Sequence, residues 1–278
     1  MRIALLIVLV LLPLRLSAHG LVHDQIENLD HDIHHHPDQA DLYLQRGRLY
    51  LEEERNQEAR QDFERALELD RAARSAHYFL AQLALKRNEP ELALRHAKTF
   101  LASLHDERGG LARGYRLLGE IYSHQRAFAQ AADAYRAAIV QAESPQPEYF
   151  LDLANACLNQ SPGQVDAAIA ALDDGIRRLG PLTVLQDKAV EIETRAGRFD
   201  AALSRLDGMI IQGQRLPELY AHQGQLLLEA GRTAAAQDAF RLALVRLDSL
   251  PEARRNTAAM QELRGSLQAQ LSEPLSAH

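Results

Sequence analysis

Six of the twelve histidines fall within one short stretch near the amino terminus: His19, His23, His31, His34, His35 and His36. Neutral imidazole is a good ligand for Cu(II) and Zn(II). Residues four apart share one face of a helix, so His19 with His23 and His31 with His35 are candidate pairs for one metal ion each. Asp24, Glu27 and Asp30 place carboxylates nearby. If the chain is cleaved before His19, the new α-amino group and the His19 imidazole can chelate together, which suits Cu(II). The same histidines also fit the polar side of an amphipathic helix, because Val22, Ile26, Leu29 and Ile33 occupy the other side. His34 to His36 precede Pro37 at a helix end, where the dipole favours a cation.

Catalytic chemistry finds no comparable constellation. The chain has no glycine-rich phosphate loop, no nucleophile elbow and no zinc-protease histidine pair around a glutamate. His23-Asp24 and His31-Asp32 have the form of metal-phosphohydrolase dyads, but the rest of the sequence supplies no remaining ligands. The single Cys157 can form no internal disulfide, and its helical setting points to packing. The sequence therefore predicts no catalytic residue and no required cofactor, with Cu or Zn at the histidines as the one candidate.

The residues before the histidines read as a targeting segment. Arg2 precedes an apolar run from Ile3 to Leu14, shorter than the roughly 20 residues a membrane span needs. Small residues follow, so a signal peptide over 1–18 with cleavage before His19 is expected, or alternatively before Leu21. Pro13 and the short run argue against a retained anchor. This predicts a periplasmic or secreted protein that meets a membrane only during targeting. Removing Arg2 and Arg15 from the 31 basic residues, against 38 acidic ones, takes the net charge from −7 to −9. Nucleic acid is then a poor partner, since phosphate neutralisation requires clustered Lys and Arg.

Sparse aromatics, no Trp and abundant Ala and Leu favour an all-α chain. The elements come from an internal repeat. Gly47, Gly119 and Gly224 each have a tyrosine four residues before (Tyr43, Tyr115, Tyr220) and an alanine twelve after (Ala59, Ala131, Ala236). An aromatic follows at sixteen (Phe63, Tyr135, Phe240) and another alanine at nineteen (Ala66, Ala138, Ala243). Weaker copies centre on Ala81, with His77, Ala93 and Ala97; on Ala154, with Phe150, Ala168, Leu172 and Gly175; and on Ala189, with Ala202, Leu206 and Met209. The intervals between the small residues are 34, 38, 35, 35 and 35. Asn88-Glu89-Pro90, Ala196-Gly197-Arg198 and Ala230-Gly231-Arg232 supply turns between helices.

This pattern resembles the tetratricopeptide repeat in its period and its small-residue, alanine and aromatic landmarks. The resemblance implies a right-handed superhelical solenoid of six helix pairs over residues 37–250, with the small residue letting the backbones approach. Residues 19–36 form an amino-terminal cap. Met260, Leu263, Leu267 and Leu271 mark a carboxy-terminal capping helix and tail over 251–278, giving about fourteen helices. The related pentatricopeptide repeat reads RNA through a basic groove, which an acidic exported chain does not offer.

The resemblance also implies that the first helix of each pair lines a concave groove for a protein or an extended peptide. The candidate groove residues are Arg48, Tyr78, Gln82, Lys86, Arg113, Arg116, His124, Asn155, Asn159 and Gln186. Lys86, Arg113 and Arg116 can grip a carboxylate, and Asn155 with Asn159 can hold extended backbone. The Lys/Asn carboxylate clamp of some family members is not recognisable, because Leu44 and Arg48 stand at the corresponding place. The sequence sets no oligomeric state.

Overall fold

The computed structural model describes residues 21–104, 107–160, 164–213 and 216–272. The predicted signal peptide, both cleavage sites, His19 and the last six residues lie outside them. The described chain divides into two compact units, Met1–Pro145 and Gln146–His278. Among the described residues there is no strand, and no helix is long and apolar enough to cross a membrane.

The first unit opens with α1 (21–35). Three helix pairs follow: α2 (Ala40–Glu52) with α3 (Asn56–Leu69), α4 (Arg74–Lys86) with α5 (Pro90–Ala102), and α6 (Arg108–His124) with α7 (Phe128–Gln141). The second unit holds α8 (Pro147–Gln160) with α9 (Val165–Leu179), α10 (Thr183–Arg195) with α11 (Phe199–Ile211), and α12 (Leu216–Glu229) with α13 (Thr233–Asp248). It ends with a single turn, α14 (Glu252–Arg255), and α15 (Ala258–Ser272), which packs on α13. The short α14 accounts for the one helix beyond the expected fourteen.

In three pairs the small landmark makes room for a ring. A β-carbon on Gly47 would lie 2.7 Å from Phe63, one on Gly119 2.5 Å from Tyr135, and one on Gly224 2.3 Å from Phe240. The aromatic sixteen residues on thus sits directly against the glycine instead of filling space beside a close backbone crossing. The second pair reaches the same end with two small residues, Ala81 and Ala97, both fully buried. The fourth pair swaps the roles, with Phe150 on α8 seated against Gly175 on α9.

Five turns within pairs share one closure. The N–H groups of Arg55, Glu89, Ala127, Arg198 and Arg232 donate to the carbonyls of Tyr50, Ala84, Tyr122, Glu193 and Leu227, at 2.7–2.9 Å. Between donor and acceptor, the residue before each donor takes a left-handed conformation: Glu54, Asn88, Arg126, Gly197 and Gly231. In four of these turns the acceptor lies three residues after the small landmark. Glu193 therefore corrects the fifth register, because Val190 and not Ala189 holds the landmark position. From Val190, the offsets of Ala202, Leu206 and Met209 become twelve, sixteen and nineteen, as in the strong copies.

Two arginines secure the pairs from within. Arg46 donates to Asp62 on α3 at 2.6 and 2.8 Å and to Asp30 on α1 at 2.6 Å, tying three helices. Arg205 on α11 does the same with Glu193 on α10 at 2.9 Å and Asp173 on α9 at 2.8 Å. Asp62 and Glu193 are the buried charged residues of the described chain, so each has the partner its burial demands.

Candidate functional site

The first helices of the first unit, α2, α4 and α6, surround an open depression of about 640 Å³. Helical spacing places its residues: Asp41, Leu44, Gln45, Arg48, Leu51 and Glu52 come from one side of α2, and Ser75, Tyr78 and Phe79 from α4. Arg113 reaches in from α6. Leu44, Leu51, Tyr78 and Phe79 give the lining its apolar part. Phe79 stacks on the buried Phe63 with ring centroids 5.0 Å apart, which anchors that part to the core of the first pair.

Tyr78 is the hub. The Arg113 guanidinium lies 5.8 Å from its ring centroid, and the Gln82 amide donates to its hydroxyl at 3.2 Å. A cation over a ring at an exposed position contributes about 0.5–1 kcal/mol. Gln82 and Lys86 continue along α4 into a second depression of about 390 Å³, shared with Leu51, Leu85 and Glu120. Arg48 also borders a third, of about 420 Å³, with Gln25, Asn28 and Asp32 of α1.

The predicted groove residues thus separate into groups. Arg48, Tyr78 and Arg113 share one depression, and Gln82 with Lys86 lines the next. Arg116 is directed to Glu120 at 3.3 Å, so its charge is already engaged. His124 stands exposed at the last turn of α6. Asn155, Asn159 and Gln186 belong to the second unit, on α8 and α10. Asn159 turns its amide back onto the carbonyl of Asn155 at 2.8 Å, which uses one donor that a peptide would need. Asp41, Glu52, Ser75 and Phe79 were missed. A search for cations passes over the acids, although their spacing from Arg48 on α2 carries the signal.

The described histidines of α1 are all exposed. His23 pairs with Glu27 at 3.3 Å, and His31 meets His35 edge to face with centroids 4.5 Å apart. Asp30 is taken by Arg46. Among the described residues, no group of three His, Cys, Asp or Glu side chains is arranged to hold a metal ion. Cys157 is buried.

No curated protein sequence matches the chain. Among solved structures it is similar to pilF of Pseudomonas aeruginosa, at 21% identity and a TM-score of 0.52 over 83% of this chain and 98% of that one. It is similar to a tetratricopeptide repeat protein of Parabacteroides merdae, at 17% identity and a TM-score of 0.54 over 91% and 94%. It also resembles a chain of the APC/C hetero-tetramer Cut9–Hcn1, at 15% identity and a TM-score of 0.52; the match covers 89% of this chain and 46% of that one. At these identities the likeness is one of fold. A family model described as tetratricopeptide repeat matches residues 44–103, the segment that carries α2 to α5. Residues 44–103 thus carry tetratricopeptide repeats, and the same glycine–ring contact recurs in α6/α7 and α12/α13.

Proposed function

We propose that the protein is a non-catalytic interaction module that takes an extended segment of a protein partner on the α2–α4–α6 face. One observation carries this reading: an apolar strip of Leu44, Leu51, Tyr78 and Phe79 is bordered by Arg48, Arg113, Asp41 and Glu52. None of those four charges forms an ion pair with another described residue. Charges left open beside an apolar strip suit a peptide, whose backbone and side chains supply both kinds of contact. The likeness to a chain of a protein hetero-tetramer supports the same class of partner.

A photo-crosslinking residue at Tyr78, compared with one at the exposed Val245 of α13, tests the reading in an extract of the native cell. Crosslinks to a defined partner at Tyr78 that disappear in Arg48→Ala/Arg113→Ala support it. Equal crosslinking at both positions, or no effect of the double substitution, would overturn it. We further propose export to the periplasm or medium through residues 1–18, checked by fractionation and by the mass of the mature amino terminus. Metal delivery by the histidine segment is the alternative. It has only two-ligand pairs among the described residues, and calorimetry with Cu(II) and Zn(II) on the mature protein decides it.

A further inference from the structure

The second helix pair departs from its neighbours at two positions. Where the first pair has Tyr43, four residues before the landmark, the second has His77. Where the first pair has Asp62, fifteen after it, the second has His96. These two imidazoles face each other between α4 and α5, with their Nδ1 atoms 2.9 Å apart. The ring centroids are 5.2 Å apart and the planes are tilted by 38°, so the rings meet nitrogen to nitrogen and do not stack.

Such a contact holds one proton between two nitrogens. One imidazole must present Nδ1–H and the other a bare Nδ1, so the two rings take complementary tautomers. A first added proton goes to an outer nitrogen and leaves the bond in place, now charge-assisted. A second puts two Nδ1–H groups head to head at a distance where neither can accept, and the rings must part. A shared metal ion explains the geometry less well. Its two ligands would have to converge on it at an angle, whereas these nitrogens point at each other, and among the described residues no third ligand stands by.

Burial holds both imidazoles below the ordinary histidine range. For His96, the neighbouring His77 and then Arg95 on α5 push the same way. From α3 and the turn after it, Glu64, Glu68 and Arg71 share a depression with His96. Glu64 is engaged by Arg60 at 2.9 Å and Glu68 by Arg65 at 2.8 Å. From α6, which packs on the same two helices, no charge bears on either ring.

We propose that His77 and His96 form a proton-sensitive clasp across the second helix pair, closed at neutral pH and opened when both imidazoles are charged. His77 is next to Tyr78 on α4, so opening the clasp shifts the hub of the peptide face relative to Arg113. That consequence rests on the peptide-binding reading; the clasp itself does not.

The test needs no partner. In the whole protein with labelled histidine rings, an NMR titration from pH 8 to pH 4.5 should show His77 and His96 changing in two coupled steps below the ordinary range. The second step should coincide with shifts in the amide signals of α4 and α5. His96→Asn keeps a group able to bond to His77 but cannot be charged, so it should abolish the second step. Because the unfolded chain takes up these protons first, below about pH 6.5, the wild type should lose Tm relative to His77→Asn/His96→Asn as pH falls. Independent titration of both rings at the ordinary value, or a Tm difference constant with pH, overturns the clasp. Should the Asn variants not fold, the wild-type titration alone decides. Equal crosslinking at Tyr78 and Val245 would refute the peptide reading and leave this result untouched.

Discussion

Alanine in place of Gly224 should destabilise the protein, while the same substitution at Gly208 should stabilise it. The β-carbon at 224 would lie 2.3, 2.5 and 2.9 Å from three ring carbons of Phe240, where carbon atoms normally stand about 3.5–4.0 Å apart. Phe240 is 3% exposed and packed in the core of α10 to α13, so its ring has no free space to take. Overpacking of this kind costs about 1–3 kcal/mol. Removing a helical glycine returns about 0.5–1 kcal/mol. At mid-range the net effect is a loss of about 1 kcal/mol, or roughly 2–4 °C in Tm for a chain of this size. Gly208 lies inside α11 with nothing within 4 Å of its β-carbon, so only the helical gain applies and Tm should rise by about 1–4 °C. Thermal melts followed by circular dichroism give both numbers. In a Phe240→Leu background the Gly224→Ala penalty should shrink, because a leucine leaves the clashing ring carbons out. Equal shifts of the same sign at both glycines, or an undiminished penalty in that background, would refute the reasoning.

Three further outcomes follow from the same geometry. Glu54 and Arg126 hold φ values of 60° and 59° at positions where other pairs use glycine, so Glu54→Gly and Arg126→Gly should each stabilise by about 0.5–1 kcal/mol, read as a higher urea midpoint. Asp62→Ala strips two hydrogen bonds from Arg46 and should cost about 1.5–3 kcal/mol, with faster amide exchange over residues 21–35 because α1 is held through the same arginine. Reversing charge with Arg48→Glu/Arg113→Glu should lower capture of the partner at Tyr78 by about tenfold or more while leaving Tm within about 4 °C, since neither arginine is in an ion pair among the described residues and the Arg113–Tyr78 contact is worth about 0.5–1 kcal/mol.

What the sequence conveyed depended on whether a residue type carries its geometry with it. The glycine, alanine and aromatic landmarks gave the pairing of helices, because only small residues fit under a ring at Gly47, Gly119 and Gly224. Gly197, Gly231 and Asn88 announced their turns, since these residues accept the left-handed region. Glu54 and Arg126 occupy the same conformation without any such sign, and the repeat register alone reveals them. Val190 was overlooked for a related reason: beside Ala189, the larger residue is the less obvious occupant of a small-residue position. Among the site residues, Arg48, Tyr78 and Arg113 followed from helical phase. The engagement of Arg116 by Glu120 and of Asn159 by its own helix did not, because helical spacing puts residues on a face without saying which neighbour they will bond. His77 and His96 were visible only as departures from landmarks nineteen residues apart, and spacing across a turn gives no distance.

The terminal helices follow the rule of the repeat, and this bears on how the peptide face begins. In the sixth pair Gln223, just before Gly224, donates to Asp207 on the preceding helix at 2.7 Å. Arg46, just before Gly47, donates to Asp30 of α1, and Arg264, just before Gly265, to Asp248 of α13; in all three the partners are sixteen residues apart. α1 therefore stands to α2 as α11 stands to α12, and α15 stands to α13 as the first helix of another pair. Gly265 fits that role: open space surrounds it where its counterparts meet a ring, since no second helix lies over it among the described residues. Exposed Gln261, Ser266 and Gln268 make that uncovered side polar, which is how a stack of repeats can end in water. α1 does more than close its end. Its Gln25, Asn28 and Asp32 share a depression with Arg48, so the histidine-bearing helix extends the polar border of the α2–α4–α6 face. Arg46, by fixing α1 through Asp30, thereby positions part of the surface on which a partner is proposed to lie.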